Sequence, residues 1–109
     1  MHELSITQSV VDTVTERTGD APVATVTVRV GVLSGVVPDA MRFCFELVSA
    51  GTPLEGATLT IEQPAGRGHC AACGEDLVLS DLLVLCPCGS ADVEVLAGRE
   101  LAIASVQLA

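Results

Sequence analysis

HCAACGEDLVLSDLLVLCPCG, residues 69–89, carries four of the five cysteines of this 109-residue chain. Cys70 and Cys73 form one pair, and Cys86 and Cys88 form another, with Gly74 through Leu85 between them. Small or turn-forming neighbours flank both pairs: Ala71, Ala72 and Gly74, then Pro87 and Gly89. A chain needs such neighbours to curl two thiolates towards one ion. Soft thiolate donors and a closed four-coordinate shell suit zinc. Four cysteines fill that shell and leave no open position, so the expected site is structural. The second pair is one residue shorter than the usual C-x2-C, and Pro87 must turn both sulphurs inward. Two disulphides or a redox dithiol at Cys70 and Cys73 form the competing reading. A redox dithiol wants a helix opening at its first cysteine, whereas PAGRG and GED around this pair suit a turn.

Outward from this window, the composition bounds the protein class. Half the residues are hydrophobic, yet the aromatics are only Phe43 and Phe45, so the core must be valine, leucine and alanine. No apolar run reaches the length of a membrane span, and the N-terminus lacks the charged and apolar regions of a signal peptide. A cytoplasmic address with reduced thiols is expected. The formal charge is −9, from 14 acidic residues against five arginines. The arginines are scattered from Arg17 to Arg99, which opposes a nucleic-acid partner.

In chain order, Glu3–Thr18 reads as a helix. Leu4, Thr7, Val11 and Val14 share one face, and Gly19 terminates it. VATVTVRV after Pro22 alternates as a strand, with Val26, Val28 and Val30 facing inward. A second helix starts at Pro38 and ends by Gly51, its apolar stripe formed by Ala40, Phe43, Cys44, Leu47 and Val48. Gly56–Glu62 reads as a strand, and Gln63–Gly68 as a flexible passage. Short strands are expected at Leu77–Leu79, Leu82–Leu85 and Ala91–Leu96. The alternating, apolar Leu101–Leu108 reads as a last strand returning to the first sheet. The expected class is α+β: two helices and a small sheet interrupted by an inserted zinc domain. Residues 1–64 form the first part of the main domain, 65–97 the zinc domain and 98–109 the returning strand.

Met1-His2-Glu3 offers a chemically different ligand set. The terminal amine of Met1, the His2 amide nitrogen and the His2 imidazole can close adjacent chelate rings, and Glu3 adds a carboxylate or its own amide nitrogen. Nitrogen-rich planar coordination suits nickel or copper. The plain alternative is an exposed histidine. His69 is expected to face water. No phosphate-binding loop, nucleophile elbow or H-E-x-x-H occurs, so an enzyme is not expected.

MHELS, VRVGVLSGVVPDAMRFCFELVSAGTPLEGATLTIEQPAG, C-A-A-C and C-P-C-G-S together resemble the nickel metallochaperones of hydrogenase maturation, HypA/HybF, over essentially the whole chain. The resemblance implies a nickel-binding α/β domain joined to a structural zinc domain. It implies His2 as principal nickel ligand, with Glu3 and the Met1 amine beside it, and zinc on Cys70, Cys73, Cys86 and Cys88. Family members commonly have C-x2-C at both knuckles. The implied function is delivery of Ni²⁺ to the [NiFe]-hydrogenase large-subunit precursor. The implied partners are that precursor and a maturation GTPase, with urease maturation proteins in some organisms. Two other readings compete: a zinc-ribbon interaction or transcription module, and a thiol oxidoreductase.

Overall fold

Helix α1 covers His2–Thr18, opening on acidic Glu3 and closing on basic Arg17, as the helix dipole favours. The computed structural model describes residues 2–109. Thr7, Val10, Val11 and Val14 are the buried face of α1. Thr7 can be buried because its hydroxyl donates to the carbonyls of Glu3 and Leu4, at 2.9 and 3.0 Å. Leu4, expected on the same face, lies one turn too early and is exposed.

Strand β1 (Val23–Val30) is the centre of a three-stranded sheet ordered β2-β1-β6, with β2 at Thr58–Glu62 and β6 at Leu101–Leu108. Val23, Val26, Val28 and Val30 are all buried. The last strand therefore joins the first sheet, and the α+β expectation holds.

Helix α2 (Pro38–Ser49) corrects the expected stripe. Met41, Cys44, Phe45 and Ser49 are buried, whereas Phe43 and Leu47 are 64% and 58% exposed. Both sets recur at helical spacing, so periodicity alone left the rotation of the helix open.

The chain divides into two compact units. The first takes in the chain up to Val28, Val36–Ile61 and Ala102–Ala109; the second comprises Arg29–Gly35 and Glu62–Leu101. In the second, β3 (Gly66–Cys70) lies between β4 (Asp76–Leu79) and β5 (Val93–Ala97), antiparallel to both. The register pairs Gly66 with Leu79 and His69 with Asp76 on one side, and Cys70 with Val93 on the other.

Two expectations fail here. Gln63–Gly68 is not a flexible passage throughout, because from Gly66 it is the central strand. Glycine serves close approach there: a Cβ on Gly66 would sit 2.7 Å from Leu33 Cδ1 and 2.9 Å from Leu79 Cβ. Leu82–Leu85 is not a strand, since Asp81 Oδ1 accepts the Leu83 N–H at 2.9 Å and turns the backbone out of any ladder.

Gly31 is crowded in the same way. Its N–H donates to the Glu100 carbonyl at 2.8 Å, and a Cβ would strike the Gly98 backbone. Gly31→Ala should destabilise the second unit by about 1–3 kcal/mol, the usual cost of overpacking. A urea-unfolding series followed through signals of that unit checks this.

Candidate metal centres

Free helix N-terminal amides and an exposed imidazole meet at the start of α1. Those first amides have no intrahelical acceptor, so the backbone there can serve an outside ligand. The His2 side chain is 56% exposed, whereas that of Glu3 is only 14% exposed. Glu3 is held by a contact the sequence does not disclose: its Oε2 accepts the backbone N–H of Val37 at 3.2 Å. Val37 is the N-cap residue of α2 and has no side-chain cap of its own, so the Glu3 carboxylate supplies an acceptor at that helix start. The Val37 N–H, followed by the N–H of Glu3 itself, holds the Glu3 carboxyl below its usual value of 4.5. The same Oε2 lies 3.5 Å from His2 Nε2. Thus one oxygen of Glu3 accepts from the start of α2 and lies beside the His2 ring. The Met1 amine lies outside the described residues.

In the second unit, β3 ends at Cys70 and a turn brings back Cys73. There the Gly74 N–H donates to the Cys70 carbonyl at 2.8 Å. Around Cys86 a tight loop does the same, with the Gly89 N–H donating to the Cys86 carbonyl at 2.8 Å. All four sulphurs lie within 4.8 Å of one another. Cys70 Sγ is 3.7 Å from Cys88 Sγ, and Cys73 Sγ is 3.6 Å from Cys86 Sγ. A tetrahedral shell with Zn–S of about 2.3 Å places its sulphurs about 3.8 Å apart. The cluster therefore fits zinc, and the short Cys86-Pro87-Cys88 knuckle delivers both of its thiols.

The thiols titrate unequally. The backbone N–H of Cys73 holds Cys70 down at about 7, against the opposing effect of burial. Cys86 receives a similar N–H from Cys88, but burial and the three neighbouring thiols outweigh it and push Cys86 up to about 12. A bound zinc would replace those protons. Cys44 lies apart, buried in α2 among apolar side chains.

His69 does not simply face water. Its Nδ1 lies 2.8 Å from Asp76 Oδ1 across the β3–β4 ladder, and that contact raises the imidazole pKa above its usual value. The register pairing was the missing signal, since the two residues are directly opposite.

A four-thiol cluster that fits zinc, carried by a second sheet beside an α+β unit, defines a small metal-handling protein. The comparisons with known proteins agree. The family described as “Hydrogenase/urease nickel incorporation, metallochaperone, hypA” matches residues 1–108, and the chain belongs to this HypA family of nickel metallochaperones acting in hydrogenase maturation. The hydrogenase maturation factor HypA of Geobacter metallireducens is 45% identical over 109 residues, covering 99% of both chains. That of Nostoc punctiforme is 43% identical over 108 residues, covering 99% of this chain and 96% of the relative. In fold, the chain resembles the solution structure of the nickel metallochaperone HypA from Helicobacter pylori, with a TM-score of 0.62 at 19% identity, covering 97% of this chain and 96% of that one. A second HypA solution structure gives a TM-score of 0.67 at 21% identity, covering 100% and 97%. Among the described residues, no helix is long and apolar enough to cross a membrane.

Proposed function

We propose that this chain carries Ni²⁺ at the start of α1 and hands it on by ligand exchange, while zinc on Cys70, Cys73, Cys86 and Cys88 maintains the second unit. The observation that carries the nickel half is the pairing of an exposed His2 with a Glu3 carboxylate anchored to Val37. An amine, an amide nitrogen and an imidazole Nδ1 can close adjacent chelate rings around one planar ion. The His2 nitrogen near Glu3 is Nε2, which leaves Nδ1 for the metal. In this reading Met1 supplies the amine and His2 the principal ligand. Glu3 acts beside them, offering its amide nitrogen and orienting the ring through its carboxylate.

Such a site is exchangeable because its imidazole is exposed and few of its donors are fixed. A partner need only compete for one nitrogen to begin release. Zinc would act in the opposite way: four thiolates close its shell, so it supplies shape and no open coordination position. The protein is then a carrier and not a catalyst. By this reading it works in the cytoplasm, receiving help from a maturation GTPase and serving the [NiFe]-hydrogenase large-subunit precursor, with urease maturation as a further outlet. Neither nucleic acid nor membrane is a partner.

The chelate is tested by adding a Gly-Ser extension before Met1. The imidazole remains, but the amine moves away. The square-planar d–d absorption of the nickel complex should disappear and affinity should fall by roughly a hundredfold, the top of the range seen when a group that only supports a metal ligand is lost. An unchanged spectrum removes the amine from the site. Glu3→Gln keeps an acceptor for the Val37 N–H but weakens the hold on His2, and should cost roughly tenfold in nickel affinity, read by competition titration.

Protons compete for the same nitrogens. Nitrogen donors must be deprotonated to bind nickel, and reference imidazoles and amines in water take up protons between about pH 8 and 6. Affinity should therefore decline steadily from pH 8 to about 6, and titrations at fixed ionic strength check it.

A further inference from the structure

We infer that the loop between β4 and β5 is a docking surface for a partner segment that is both apolar and basic. This stands apart from nickel binding.

Val78, Leu82, Leu83 and Leu85 are 72, 65, 71 and 45% exposed. A single exposed leucine needs no explanation, but a cluster from one short window does. The loop is shaped to present them: the Asp81 carboxylate accepts the Leu83 N–H at 2.9 Å and fixes the turn that carries Leu82 and Leu83. Beside it lies a cleft of about 590 Å³ lined by Val78, Leu85, Glu75 and Asp76 together with Cys73, Cys86 and Cys88 of the thiol cluster. Apolar surface and acidic groups thus share one recess.

Charge identifies the occupant. From Gly68 through Gly98 the chain has no lysine or arginine, and Glu75 and Asp81 are acidic, while Asp76 pairs with His69 and Arg67 stands opposite Val78 in the β3–β4 ladder. Four thiolates against one divalent zinc would leave further negative charge. A second copy of this chain, also at −9, would be repelled, and so would an anionic bilayer. A segment with leucine-like residues at helical spacing and lysine or arginine on its flanks complements both features. Its apolar face would cover the leucines while its cations met the acidic rim.

The test uses the full, zinc-loaded chain and a fluorescein-labelled helical peptide of leucine and lysine. Two comparison peptides have every lysine changed to glutamate, or every leucine changed to serine at unchanged charge. Anisotropy should show binding of the first peptide and at least roughly tenfold weaker binding of each comparison, consistent with the loss of buried apolar area or of the complementary charge. The Leu82→Ser/Leu83→Ser variant, with zinc content and circular dichroism confirming its fold, should lose affinity to a similar degree. Phe43→Ser, on the exposed face of α2, and His2→Ala should bind as the parent does.

Equal binding by the Leu82→Ser/Leu83→Ser variant, or equal binding of the serine peptide, would overturn the proposal in favour of diffuse charge attraction. Uptake by phosphatidylglycerol vesicles that depends on the same leucines would reassign the surface to a membrane. Concentration-dependent dimerisation lost in that variant would reassign it to a second copy.

Discussion

His2→Ala in an untagged chain is expected to abolish the exchangeable nickel site, lowering affinity by roughly a hundredfold or more, while leaving zinc in place. A side chain that itself binds the ion should cost at least the upper part of the 10–100-fold range seen for groups that only support a ligand. The His2 side chain is 56% exposed, and the Ser5 hydroxyl donates to the His2 backbone carbonyl, which alanine keeps. The buried face of the helix begins later, at Thr7. Loss of nickel without loss of helix is therefore the anticipated pattern, read by competition titration beside circular dichroism and metal analysis. Retained affinity in that folded variant would sink the nickel assignment. Zinc retained at one equivalent would leave only the scaffold half standing.

The second large effect concerns zinc removal. The buried apolar residues of the second unit are Val30, Leu33, Leu79 and two of the thiols, Cys70 and Cys86. The first unit buries a longer set that includes Val10, Val11 and Val14 of α1, Met41, Phe45 and Leu54. A lobe whose core is partly metal ligands depends on the metal for order. Apparent zinc binding of about 10–16 kcal/mol is far more than so small a core supplies. Chelation or Cys86→Ser should therefore collapse the amide dispersion of Gly66–Ala97 in NMR spectra while α1 and α2 keep their protection from exchange. Cys86 is the sharper choice because it is buried and held protonated without metal, at about 12. Its sulphur lies 3.6 Å from Cys73 Sγ within the four-thiol cluster. Full retention of the second unit after demetallation would show that β3, β4 and β5 hold themselves together.

The periodic elements were legible because each depends on local sequence. Valines at every second position declared β1, Pro38 announced the start of α2, and alternation through Leu101–Leu108 marked a strand that joins the first sheet. The four cysteines also announced their grouping, since small residues and turns beside each pair allow few other arrangements. Glycine misled, however. GRG looked mobile because glycine is permissive, yet Gly66 and Gly68 are strand residues that make room for Leu33, Leu79 and Val93.

Tertiary packing decided the rest, because those outcomes depend on residues far apart in the chain. Whether Phe43 or Phe45 turned inward on α2 depended on what α2 packs against, and two apolar stripes of equal period could not settle it. Glu3 found the Val37 amide 34 positions away, and His69 found Asp76 only through the pairing of β3 with β4. By itself the sequence determined an α+β chain with a four-thiol cluster and a histidine beside its first residue. Only the folded chain decided which side chains point outward, which oxygen steadies that histidine, and which leucines remain in water, because a hydrogen bond or a buried face requires a partner brought there by the fold.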